Sequence, residues 1–261
     1  GSGVDIGSLV SREALPSFIA PPTSGGASTS RYVVVSTPTD STYGSGAGAI
    51  YVFDANNLSA EFSQEGGPTK IMPLDSISGG QFGTMAIHST SDKLFVAAAN
   101  DNSTSNQSPG LVYVYDVNDL SAQPTKLTAF DAAANDQFGH SIATTENKVI
   151  IGANHDDDDG HASGSFYVFD SNDLSATPTK ITAFDAIYDD EFSFALEASG
   201  NTIVSSAWKK KGTGNIEKMG AVYVYDANDL SATPTKLTAF DAAANDQFGS
   251  SIAITSDNIF V

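Results

Sequence analysis

LVYVYDVNDLSAQPTKLTAFDAAANDQFGHSIA, residues 111–143, returns as AVYVYDANDLSATPTKLTAFDAAANDQFGSSIA at 221–253 with 29 of 33 positions identical. The changes are Leu111/Ala221, Val117/Ala227, Gln123/Thr233 and His140/Ser250. The offset is 110 residues, and a looser copy at 165–195 lies between the two, so the true period is about half of that. A repeat of this length is one supersecondary unit that buries its apolar faces only against its neighbours, as in a solenoid or a propeller. Within the stretch, short apolar runs alternate with Asp, Asn, Ser and Pro, and no helical period is sustained, which predicts strands joined by turns.

Working outward, each unit holds four such runs, named a to d. In the third unit they are 138–144, 148–153, 165–170 and 179–184; in the second 82–88, 93–98, 111–116 and 125–130; in the fourth 192–198, 202–207, 221–226 and 235–240. The first unit supplies b, c and d at 32–36, 49–54 and 69–74, and a last a and b pair falls at 248–255 and 258–261. Runs b and c are nearly continuous in apolar residues, as in Val149-Ile150-Ile151, which predicts strands covered on both faces. Run a carries Gly139, Ser141 and Ala143, small enough for a crowded axis, and run d carries Lys180, which on an outer edge would deter stray strand pairing. The expectation is an all-β fold, a β-propeller of four-stranded antiparallel blades of about 55 residues in the order a, b, c, d from the axis outward. Residues 1–30, rich in Gly, Ser and Pro, form a lead-in in which 17–20 is a degenerate strand copy. The repeats run 31–74, 75–130, 131–184, 185–240 and a partial 241–261. Four or five blades, or a fragment of a larger ring, all fit; a four-bladed ring would close by pairing 248–255 with the first unit and leave 258–261 surplus.

The 261 residues include 31 acidic and 12 basic side chains, a net charge of −19. Nucleic acid is excluded as a partner on this ground, because phosphate neutralisation needs clustered bases and the only cluster is Lys209-Lys210-Lys211. The acidity fits solubility in a salty medium or divalent cation binding. There is no cysteine, hence no disulfide or thiolate metal site, and no apolar run approaches a membrane span. Gly1-Ser2-Gly3 suits a cloning scar and a processed start equally.

The residues resemble the FG-GAP repeat family, whose best-known members form the propeller of integrin α-subunits. The Phe-Gly element stands as Phe82-Gly83, Phe138-Gly139 and Phe248-Gly249, and departs to Phe192-Ser193 in the fourth unit. The Gly-Ala-Pro element is degraded; Gly152-Ala153-Asn154 comes nearest, with Ala98-Ala99-Asn100, Ser206-Ala207-Trp208 and Ser36-Thr37-Pro38 elsewhere. A Gly-x-x-Tyr-Val-Phe/Tyr pattern follows at Gly48, Gly110, Gly164 and Gly220. The resemblance implies a non-enzymatic, extracellular or cell-surface module for adhesion. It also implies a calcium loop between the Phe-Gly and Gly-Ala-Pro strands, but here that connection is only about four residues long, too short for an oxygen cage.

Reversal of direction at each strand puts the b–c loops and d–a links on one face and the a–b and c–d turns on the other. The c–d turns, Asp226-Ala227-Asn228-Asp229-Leu230-Ser231 and its copies, are nearly invariant and read as scaffold. The b–c loops differ in every unit, from drift or because they build a binding surface. Loop 154–164 carries Asp156, Asp157, Asp158 and Asp159 between His155 and His161; loop 208–220 carries Trp208, Lys209, Lys210 and Lys211. These histidines, the tryptophan and the lysines are the candidate binding residues, although Trp208 also suits a cap on run b. The four aspartates, with Asp131 and Asp136 from the d–a link, are the candidate ligands for a Ca2+ ion, against a reading as solvated charge. His88 and His140 fit packed or surface roles. No catalytic residue is assigned: nucleophile elbow, phosphate loop and zinc-helix motifs are all missing from the sequence. The expected partner is an extracellular protein or glycan; the alternatives are self-association as an architectural unit of a filament, sheath or large adhesin, and, more remotely, a metal-dependent enzyme on the acidic face.

Overall fold

The computed structural model describes residues 32–42, 44–55, 57–58, 67–73, 80–98, 108–212, 214 and 216–261. The lead-in with its strand copy at 17–20, and residues 99–107 of the second b–c loop, lie outside the described residues. Seventeen strands and no helix are found among those described. The first sheet is β1 (Tyr32–Thr37), β2 (Ala49–Asp54) and β3 (Thr69–Ile71). Three four-stranded sheets follow: β4 (Phe82–Ser89) to β7 (Thr125–Leu127) through β5 (Lys93–Ala98) and β6 (Leu111–Asp116); β8 (Phe138–Thr144), β9 (Lys148–Ala153), β10 (Ser165–Asp170) and β11 (Thr179–Thr182); and β12 (Phe192–Ser199), β13 (Thr202–Ala207), β14 (Ala221–Asp226) and β15 (Thr235–Leu237). Every pairing in them is antiparallel between consecutive strands. β16 (Ala253–Ile254) and β17 (Ile259–Phe260) make a two-stranded ladder.

These sheets stack face to face as propeller blades, and the apolar runs become legible once stacked. Along β9, Val149 and Ile151 face the preceding sheet, packing with Phe95, Val112 and Val114, whereas Ile150 faces the next sheet with Ile203 and Tyr223. A strand buried on both faces must be apolar at every position, and each such Ile or Val contributes about 1.5–3 kcal/mol of burial. The a strands β4, β8 and β12 lie against one another, and the d strands form the outer edges, as the run order predicts.

Three features depart from expectation. Run d is shorter than its apolar pattern: β7 ends at Leu127, because the Thr-Ala-Phe-Asp that follows leaves its sheet and crosses to the next, where Phe130 meets the ring of Tyr167 edge-on at 5.9 Å. β16 pairs with β17, not with β1, so 258–261 is the partner of the last a strand and not a surplus. Finally, Lys180 is no solvated edge guard; its side chain is 13% exposed and bound to carboxylates.

Candidate functional site

Each b–c loop is clasped by main-chain hydrogen bonds to the d–a link of the next unit, placing both on one face. Asp189 N–H donates to the His161 carbonyl at 2.8 Å, and Asn245 N–H to that of Glu217 at 2.9 Å. On the opposite face the c–d turns are closed by their own side chains: Asp116, Asp170 and Asp226 accept from the amides of Asn118, Asn172 and Asn228 at 2.8, 2.9 and 2.9 Å. Carboxylates spent on their own backbone are scaffold.

Register builds the centre of the first face. A tyrosine of strand c lies directly opposite a lysine of strand d in four sheets, as Tyr51/Lys70, Tyr113/Lys126, Tyr167/Lys180 and Tyr223/Lys236. Each ammonium sits 5.4–5.6 Å from the ring centroid. In the third unit Lys180 Nζ lies 2.7 Å from Asp131, 2.8 Å from Asp156 and 2.6 Å from Asp158, while the Tyr167 hydroxyl lies 2.8 Å from both Asp131 and Asp156, its one proton available to either. Burial works against the charged lysine, yet these carboxylates raise its pKa well above the usual range. Of the six predicted metal ligands, the fold therefore gathers Asp131, Asp156 and Asp158, whose oxygens lie within 4.8 Å of one another. Asp157 instead accepts from the Ala162 amide at 2.6 Å, and Asp159 is exposed outside the cluster. Asp136, 3% exposed, caps the Ala133 amide at 2.7 Å; burial, and then the nearby charges of Asp156 and Asp157, push its pKa up to about 6.

The predicted binding residues converge on a side chain outside the candidate set. Glu191, at the end of the third d–a link, accepts from Trp208 Nε1 at 2.7 Å and from Lys209 Nζ, and lies 3.4 Å from His155 Nε2. Gln137 Nε2 sits 3.0 Å from His155 Nδ1, on the side of the ring away from Glu191. Burial would raise the Glu191 pKa, but the hydrogen bonds from His155, Lys209 and Trp208 hold it down at about 2. Lys210, 3% exposed, bonds Asp190 at 2.6 Å and the Asp185 carbonyl, and Lys211 bonds Glu217 at 3.1 Å. The basic cluster is thus neutralised internally, residue by residue. Trp208 packs against Phe194 at 5.0 Å, directly after β13, in line with its role as a strand cap.

What stays open to solvent is a ring pair. His161 stacks on Tyr188 at 5.2 Å and 27°, with Tyr188 59% and Ile187 42% exposed. Ile187 and Tyr188 were not among the candidates, yet a signal existed: the link reads Asp-Ala-Ala-Ala-Asn-Asp-Gln at 131–137 and 241–247 but Asp-Ala-Ile-Tyr-Asp-Asp-Glu at 185–191. The unit-specific residues of the link are those that meet the unit-specific loops.

A family model described as FG-GAP repeat matches residues 122–169, 177–225 and 233–261. The chain belongs to the FG-GAP repeat family. No curated protein matches it. The calcium loop implied by the FG-GAP resemblance has no counterpart in the a–b connections: between β8 and β9 only Thr145, Glu146 and Asn147 intervene, and Thr145 N–H closes the turn on the Lys148 carbonyl at 3.0 Å. One carboxylate does not supply the roughly six oxygens that calcium takes. Nor do the FG-GAP units depart at random from their signature. The Phe192-Ser193 departure sits against Gly152, where a Cβ would lie 2.9 Å from Ser193 Oγ; in the other units the glycine is on the Phe-Gly side, and Gly83, Gly139 and Gly249 face Ser36, Ala97 and Ser206. No helix among the described residues is long and apolar enough to cross a membrane.

Proposed function

We propose that this FG-GAP chain is a non-enzymatic extracellular binding module whose recognition surface is formed by the third and fourth units, from 154–164, 185–191, 208–212 and 216–220. The observation that carries this reading is the exposed His161–Tyr188 stack with Ile187 beside it, held by three segments that differ from those of the other units. An apolar platform on one face, rimmed by charges already paired, suits the ring of a sugar or an aromatic or aliphatic side chain of a protein. Next to it lies a cleft of about 510 Å³ lined by Ile187, Lys210, Met219 and Lys236 among others. The lysines and carboxylates there are engaged with each other, which favours recognition over turnover.

Screening against glycan and extracellular-protein panels tests it. Tyr188→Ala and His161→Ala are expected to abolish the binding found while leaving the melting temperature within about 2 °C, since both rings are surface residues. Retained binding in both variants would sink the assignment of the surface. The architectural reading is favoured by the near identity of 111–143 and 221–253; ordered self-association by light scattering, without ligand binding, would select it.

A further inference from the structure

The acidic face poses a charge problem that the fold answers from within. Asp131 comes from the link that enters the third unit, and Asp156 and Asp158 come from that unit's b–c loop. Three carboxylates within 4.8 Å of one another repel unless a cation stands between them. We infer that in this chain the cation is Lys180 itself, delivered by β11, and that this ammonium takes the place a divalent ion would otherwise fill in fastening the entering link to the loop and outer strand of the third unit.

The geometry makes the two mutually exclusive. Nζ lies 2.6–2.8 Å from one oxygen of each aspartate. A calcium ion bound to the same three oxygens at about 2.3–2.6 Å would have its centre almost on that nitrogen. The lysine is also held from below, by the Tyr167 ring, and the tyrosine hydroxyl fixes Asp131 and Asp156 in turn. The arrangement is a repeated design and not an accident of one loop. Lys236 Nζ lies 2.6 Å from Asp185 of the link entering the fourth unit, and the Tyr223 hydroxyl donates to the same carboxylate at 2.6 Å. Lys70 Nζ lies 2.7 Å from Asp40. In the loop of the fourth unit Lys210 stands where the third unit has Asp156, and this second ammonium reaches Asp190 and the Asp185 carbonyl, so two ammoniums there face the two carboxylates of the link. The outer-strand lysine is therefore the constant and the loop charge the variable.

The test uses the full 261-residue chain. Its melting temperature should be the same in chelator and in millimolar calcium at fixed ionic strength. Lys180 should be acylated by an amine-reactive ester more slowly than the exposed Lys126, read by mass spectrometry, with calcium leaving that rate unchanged. Lys180→Met should melt several degrees lower in chelator, and millimolar calcium should restore at least half of the loss, because three uncompensated carboxylates then surround a neutral side chain. The restoration should vanish in Lys180→Met/Asp131→Asn/Asp158→Asn. A saturable rise of the wild-type melting temperature with calcium, or calcium-accelerated acylation of Lys180, would overturn the inference. So would Lys180→Met melting like the wild type in chelator, or failing to respond to calcium. If Lys180→Met does not fold, the acylation rates of the wild-type chain decide by themselves.

Discussion

At Glu191 a single carboxylate ties two repeats together. It is 6% exposed and gathers Trp208, Lys209 and His155. Its pKa is depressed from 4.5 to about 2, so the stability it contributes is present above pH 4.5 and is lost as pH falls through 2. Glu191→Gln leaves the half-buried Lys209 ammonium without its counter-charge and should cost about 1–3 kcal/mol at pH 7 by urea denaturation. Because Trp208 is the only tryptophan, its emission should shift to the red in the same variant. Asp136 has the opposite sign. Its folded pKa, about 6, lies above its unfolded value of 3.8, so its contribution is favourable below pH 3.8 and is lost as pH rises through 6. Asp136→Asn keeps an acceptor for the Ala133 amide without the charge; a gain of about 2 kcal/mol at pH 7.5, fading towards pH 4, is expected from denaturation across that range. No gain at pH 7.5 would show that the carboxylate is better solvated than its burial implies.

At the scale of the element, the joint between blades is built from small residues in complementary pairs. Ser193 has φ +70°, a conformation in which a side chain is strained, and tolerates it where its hydroxyl donates to the Ser165 carbonyl at 2.6 Å. The room for that side chain is the missing Cβ of Gly152 on β9. A Cβ on Gly152 would overlap Ser141 Oγ and lie 2.9 Å from both the carbonyl and the hydroxyl oxygen of Ser193, so Gly152→Ala should cost about 2–4 kcal/mol, and adding Ser193→Gly should recover a minor part of it, a coupling read from a double-mutant cycle. Additive losses would mean that the two sites do not compete for space. Elsewhere in the joint, Gly164 at φ +84° brings its backbone against Phe192, and any Cβ there would overlap that residue's main chain. This is why the glycine of the Gly-x-x-Tyr pattern recurs ahead of every c strand, a spacing visible in the sequence whose cause lies in the neighbouring blade.

At the scale of the whole molecule, the position of a unit in the array decides what the same residue contributes. Phe130 and Phe184 close down edge-on on Tyr167 and Tyr223 of the following sheets, both at 5.9 Å, whereas Phe240, in an identical Thr-Ala-Phe-Asp context, is 101% exposed. Phe130→Ala and Phe184→Ala should each cost about 1 kcal/mol, and Phe240→Ala should be neutral within about 0.3 kcal/mol, by chemical denaturation. Equal losses at all three would show that Phe240 is covered in solution.

The repeat, its four strands, their order and the two sets of loops were all legible in the residues, because a strand buried on both faces must be apolar throughout and turn chemistry is local. The candidate site was legible in part: Asp156, Asp158, His155, Trp208 and Lys209 were singled out by their unit-specific loops, and Asp131 by its place in a d–a link on the same face. Their partners were not. Lys180 read as an edge guard and Glu191 as one acid among many, since nothing local distinguishes a solvated charge from one whose counter-ion arrives from a strand 22 or 49 residues away in the chain. Periodicity by itself determined the blades. Only the tertiary fold, which brings the link entering a unit over that unit's own tyrosine and lysine, decided which charges are spent on holding the array together and which side chains remain for a partner.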